Sequence, residues 1–141
     1  MADATTKHRV LVVDDEPSIA KVLRKQLEVA GFEVNVGVDG EDGLTKAREW
    51  RPDLLVLDVM LPKRNGHEVC SALRQDEQFR RLPIIMLTAK AQRQDQQEAM
   101  QRGADAYLAK PFQLEELLAK VRALLAKAAP APESPGAAPP A

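Results

Sequence analysis

One cysteine, Cys70, is all the thiol in 141 residues, so an internal disulfide framework and a cysteine-rich zinc site are both excluded. Cys70 falls inside a helical pattern, which predicts a small buried or half-buried side chain rather than a nucleophile. A dominant charge of either sign is also missing. Lys and Arg total 20 against 21 Asp and Glu, so no net field favours nucleic acid or an anionic membrane. The basic pairs Lys63-Arg64 and Arg80-Arg81 lie between periodic segments and read as solvated loops. The opening MADATTKHRV lacks the apolar core of a signal peptide, and no segment approaches membrane-spanning length. These absences predict a cytoplasmic protein without membrane insertion. What is present, 45% hydrophobic and 29% charged residues, is enough for one globular domain with a sizeable core.

Short apolar runs recur along residues 9–128: RVLVV (9–13), EVNVGV (33–38), DLLVL (53–57), PIIML (83–87) and DAYLA (105–109). The third and fourth are nearly unbroken, as in strands buried on both faces of a parallel sheet. Helical periodicity fills the gaps. Ile19, Val22, Leu23, Leu27 and Ala30 recur at spacings of three and four, with Gly31 placed as a C-terminal cap. Leu44, Ala47 and Trp50 repeat the pattern before Pro52. Val69, Ala72 and Leu73 mark a third helix, and the stripe from Leu114 to Leu125 marks the last. Residues 91–102, AQRQDQQEAMQR, have helical composition but only Ala91, Ala99 and Met100 to bury, which predicts a fourth helix held loosely. Five alternating strands and helices imply right-handed crossovers and a doubly wound α/β sheet. The expected organisation is an N-terminal arm (1–8), one domain (9–128), and a tail or linker start (129–141) whose five prolines and absent large apolar side chains cannot support a core.

In such a sheet, ligands bind beyond the carboxyl ends of the strands. The first run ends in Asp14-Asp15, the third in Asp58, the fourth in Thr88 and the fifth in Lys110. Each has an ordinary reading. An Asp before Pro17 caps a helix, Asp58 opens a turn, Thr88 caps the next helix, and Lys110 is a surface cation. Together they place three acids, a hydroxyl and an ammonium on one rim. Three neighbouring carboxylates raise one another's pKa unless a cation neutralises them, and Mg²⁺ prefers such hard oxygen donors. Carboxylate, metal, hydroxyl and ammonium together describe a phosphoryl-transfer site.

VLVVDDEPS, LLVLDVMLP with NGHEV, PIIMLTAK and GADAYLAKPF, in that order, resemble the receiver domain of two-component response regulators, most of all the single-domain chemotaxis type. The resemblance covers roughly residues 8–127. It implies a flavodoxin-like sheet in order 2-1-3-4-5 with five flanking helices, so that Asp14 and Asp15 face Asp58 across a metal. It further implies Asp58 as phosphoacceptor, with Mg²⁺ held by Asp15, Asp58 and the backbone carbonyl of Met60, and by Asp14 through a water. Thr88 and Lys110 would take phosphoryl oxygens, and Thr88 and Tyr107 would form the switch. Ala89 matches the small residue beside the phosphate, Met60 and Lys90 match positions that tune acyl-phosphate lifetime, and a cis Lys110-Pro111 bond is expected. The implied partners are a sensor histidine kinase or histidine phosphotransfer protein, a downstream target bound through the fourth helix, fifth strand and fifth helix, and a phosphorylation-dependent homodimer. The homodimer is weakened by Ala106, where dimerising relatives often carry an acid. No external substrate is turned over and no direct nucleic-acid binding is expected. His8 and His67 are assigned to the surface, and Trp50 to covering the sheet edge. An Mg²⁺-dependent aspartyl phosphohydrolase is the alternative enzyme class, but it usually carries a second acid two residues after the nucleophile, where this chain has Met60. A site-decayed adaptor would not retain all five residues. A receiver fragment of a larger DNA-binding or enzymatic regulator would show the same sequence features.

Overall fold

The apolar run Arg9–Val13 (β1) becomes an interior strand of a sheet, and its residues Val10 to Val13 have no exposed surface and no polar side chain to satisfy. The structure, a computed structural model, describes residues 7–61, 63, 65–88, 103–110 and 112–128. β1 is joined by β2 (Glu33–Gly37), β3 (Leu54–Asp58), β4 (Ile84–Thr88) and β5 (Ala106–Ala109). All pairings are parallel and the order is β2-β1-β3-β4-β5. The third and fourth strands sit one residue later than their apolar runs. Asp58 and Thr88 therefore belong to the ladder, paired with Leu87 and Ala109.

Three helices follow the first three strands: α1 (Pro17–Val29), α2 (Gly40–Trp50) and α3 (Gly66–Gln75). The C-terminal helix, Leu114–Ala128, follows β5. A short 3-10 turn, Glu77–Phe79, was not readable from periodicity; it buries Phe79 under the sheet. Asp39 caps α2 by accepting from the Asp42 amide at 2.7 Å. Gly31 has φ 105° just past Ala30, the left-handed geometry expected after a helix C-terminus. The expected fourth helix, the Lys110-Pro111 bond, Ala89, Lys90 and the tail 129–141 lie outside the described residues.

The alternating directions of strand side chains divide the core in two. On one face Leu11, Leu55, Leu57 and Met86 pack under α2 and α3 with Cys70, Leu73 and Phe79; Trp50 and Tyr107 lie partly buried against them. On the other, Val10, Val56, Ile85 and Leu87 pack under α1 and the C-terminal helix through Leu23, Leu27, Leu117 and Val121. With apolar layers on both faces, the polar groups that end the strands collect at one rim.

Candidate functional site

At the end of β1 the Asp14 amide donates to Gly37 O at 3.1 Å, which extends the ladder by one residue and buries the Asp14 side chain to 1% exposure. Neither Asp14 nor Asp15 is the helix cap. That place belongs to Glu16, which makes no side-chain capping bond, and Pro17 opens the helix. Asp14 Oδ1 accepts from the Glu16 amide at 2.9 Å, a local turn ahead of the helix. Its other oxygen, Oδ2, is buried without a hydrogen bond among the described residues; the Lys110 ammonium stands 3.5 Å away. Asp15, beside it, is exposed.

Asp58 ends β3 and is 5% exposed. Its Oδ1 accepts from the Met60 amide at 3.2 Å and its Oδ2 from Lys110 Nζ at 3.0 Å. Lys110 starts from the end of β5, two strand spacings or roughly 9.5 Å across the sheet, so only a long side chain closes that gap. Its amide donates to Thr88 O at 2.7 Å, which fixes where the chain leaves the sheet. Thr88, at the end of β4, is buried. Burial pushes the Asp58 carboxyl above its ordinary range; the Lys110 hydrogen bond and charge oppose the shift, and the Asp14 charge adds to it. Burial pulls Lys110 downward, but the Asp58 hydrogen bond and charge, with Asp14 behind them, outweigh it and leave the ammonium above its ordinary value.

Asp14, Asp15 and Asp58 each offer a carboxylate oxygen, all within 4.8 Å of one another. These are hard donors of like charge, and one of them has a buried oxygen with no hydrogen bond among the described residues. The set fits Mg²⁺ better than a softer ion, since no thiolate or imidazole among the described residues contributes. Met60 brings its amide to Asp58 while its side chain is exposed. Tyr107 stands on β5, half-buried, packed against the core on the face that carries α3.

Three features escaped the sequence. His67 is buried at 7% exposure, which corrects its assignment to the surface; it is the second residue of α3, whose first turn presses against the end of β3. Gly66 makes that close approach. Arg74 gathers partners from residues 79, 80, 103 and 105, none within its own helix. Periodicity carries no signal for such distant pairs.

A five-stranded parallel sheet in this order, with an acid cluster and a lysine at its carboxyl rim, defines the class of response regulator receivers. The chain belongs to the response regulator receiver domain family, which it matches over residues 10–122. It is 49% identical over 117 residues to the DNA-binding dual master transcriptional regulator RpaA of Synechocystis, covering 83% of this chain and 48% of that one. It is 49% identical over 121 residues to the DNA-binding response regulator MtrA of Mycolicibacterium smegmatis, covering 86% and 52%. Among solved structures, the chemotaxis response regulator CheY4 of Vibrio cholerae superposes with a TM-score of 0.80 at 37% identity, covering 84% of this chain and 99% of that one. The chain thus spans about half the length of the curated relatives it matches. That these relatives are DNA-binding regulators overturns the expectation of no direct nucleic-acid binding. The near-neutral charge balance behind that expectation reports only on the segment itself, whereas the relatives are about twice as long.

Proposed function

We propose that this receiver is a phosphorylation-dependent signalling switch that accepts a phosphoryl group on Asp58 from a phosphohistidine of a sensor kinase or phosphotransfer protein. One observation supports it above the others: a buried carboxylate at a strand end, 3.0 Å from a lysine ammonium and clustered with two further acids. An Asp58 oxygen attacks phosphorus, the P–N bond breaks, and its electron pair returns to the donor imidazole, leaving an acyl phosphate. Lys110 transfers its hydrogen bond from the carboxylate to a phosphoryl oxygen, and the Thr88 hydroxyl takes another. Asp15, Asp58 and the Met60 carbonyl, with Asp14 beside them, would hold Mg²⁺. When bound, the ion supplies positive charge to the phosphoryl oxygens as charge builds on them. The chain turns over no external substrate in this scheme and acts in the cytoplasm. Thr88 and Tyr107 carry the change outward to a face that includes β5 and the C-terminal helix.

Acetyl phosphate with Mg²⁺ should add one labile phosphoryl group by intact mass, suppressed by chelator and absent in Asp58→Asn. Labelling that persists in Asp58→Asn overturns the assignment. The DNA-binding relatives support a second element: the protein to which this receiver belongs regulates transcription by binding DNA. Phosphorylation-dependent DNA binding by the full-length protein tests it, and binding indifferent to phosphorylation would separate the receiver from that output.

A further inference from the structure

Gly66 opens α3 and is buried. A Cβ at this position would lie 2.4 Å from the carbonyl oxygen of Asp58, 2.8 Å from the Cα of Val59 and 3.0 Å from the carbonyl carbon of Asp58. All three are backbone atoms, so no rotamer change relieves the overlap. Hydrogen bonds hold the approach in place. The Gly66 amide donates to Val59 O at 2.8 Å, and the Val59 amide donates to Leu87 O on β4 at 3.0 Å. Behind Gly66 a capping box fixes where the helix begins. Asn65 Oδ1 accepts from the Glu68 amide at 2.9 Å, and Glu68 Oε1 accepts from the Asn65 amide at 3.1 Å. The backbone beneath Asp58 is therefore clamped between β4 and the first turn of α3.

We propose that Gly66, seated by the Asn65–Glu68 cap, is a positioning residue for the Asp58 carboxylate: its missing Cβ sets how closely that carboxylate stands to Asp14, Asp15 and Lys110. The inference rests on the phosphoacceptor reading above. Relaxing a 2.4 Å overlap to ordinary contact requires roughly 1 Å of displacement. A preorganised site tolerates about 0.5 Å. Mg²⁺ demands near-ideal geometry, and a misplacement of about 1 Å lowers a positioned reaction on the order of 10²-fold.

The test compares Gly66→Ala with Gly103→Ala. Gly103 has φ 102° and its Cβ would meet the Arg74 side chain at 2.8 Å, so that variant is strained at the opposite end of the sheet. Urea melts establish that both fold and how far each is destabilised. Calorimetry with Mg²⁺ alone and acetyl phosphate labelling then read the site. Gly66→Ala should bind Mg²⁺ at least about tenfold more weakly and label on the order of 10²-fold more slowly, while Gly103→Ala stays within about twofold of the parent. A folded Gly66→Ala with parental affinity and rate overturns the proposal, as does an equal loss in Gly103→Ala. Should Gly66→Ala not fold, Asn65→Ala frees the helix start with Gly66 in place. Several-fold weaker Mg²⁺ binding there supports the proposal, and unchanged binding overturns it. A parent that binds Mg²⁺ yet takes no label refutes the phosphoacceptor reading, while the Mg²⁺ comparison still decides the role of Gly66.

Discussion

The buried Asp58 carboxylate and Lys110 share a hydrogen bond, and both proton affinities are raised, so each contributes to how the metal-free protein responds to pH. The Asp58 carboxyl is raised above 3.8, chiefly by burial, so the folded state binds more protons than the unfolded one from that value up to the raised one. Stability attributable to Asp58 falls as pH rises through that window. Asp58→Asn should therefore be more stable than the metal-free parent at pH 7 in urea melts, with the difference closing toward pH 3.8. An Asn variant less stable at pH 7 would show that the Lys110 pair outweighs burial. Lys110 has the same sign at a higher pH: burial lowers it, Asp58 more than compensates, and its contribution is complete below 10.5 and lost as pH climbs through the raised value. Asp15 is exposed and caps nothing, so Asp15→Ala should leave the metal-free urea midpoint unchanged or higher. Its Mg²⁺ affinity by calorimetry should fall at least about tenfold; a marked loss of metal-free stability would restore a structural role. Asp14, Asp58, Thr88 and Lys110 were readable as candidates because each ends an apolar run, and a parallel sheet collects such ends. Gly66 was not, since what matters there is the backbone at the end of another element, and the burial of His67 was not either.

Between elements, Arg74 is the clearest staple. From α3 its guanidinium donates to Gly103 O at 2.9 Å, Phe79 O at 2.9 Å, Arg80 O at 3.2 Å and Asp105 Oδ2 at 2.8 Å. Asp105 Oδ2 in turn accepts from the Ile84 amide at 2.8 Å, which ties the starts of β4 and β5 to the helix. The Arg74 side chain is only 18% exposed, so these bonds are partly shielded. Arg74→Ala should destabilise the protein by about 2–4 kcal/mol in urea melts, because it strips partners from several carbonyls and one carboxylate. A change below about 0.5 kcal/mol would place the staple among ordinary surface contacts. At this scale the sequence was a good guide to which segments form strands and a poorer one to where they end. Apolar runs stop at the first polar side chain, whereas backbone pairing carries Asp58 and Thr88 into the ladder. The Glu77–Phe79 turn was invisible for a related reason: three residues are too few to show a period.

For the molecule as a whole, alternation of strands and helices gave the layered class, while the strand order came from the family resemblance and agrees with the observed pairing. The tail 129–141 offers no large apolar side chain, so a chain ending at residue 129 should keep both its urea midpoint and its acetyl phosphate labelling. A lower midpoint would reveal contacts that composition does not suggest. The C-terminal helix has a further consequence. Leu114 shares a groove with Ser18 and Lys110 beside the acids, while Leu125 lines a cavity with His8, Asp53 and Pro83, which precede three of the strands. Its 15 residues thus run back along the sheet for about 22 Å. Residue 128 therefore stands at the pole of the molecule opposite the acids. In the proposed phosphotransfer the donor approaches the opposite pole, so the effect of a phosphoryl group on Asp58 has to cross the length of the sheet to reach residue 128.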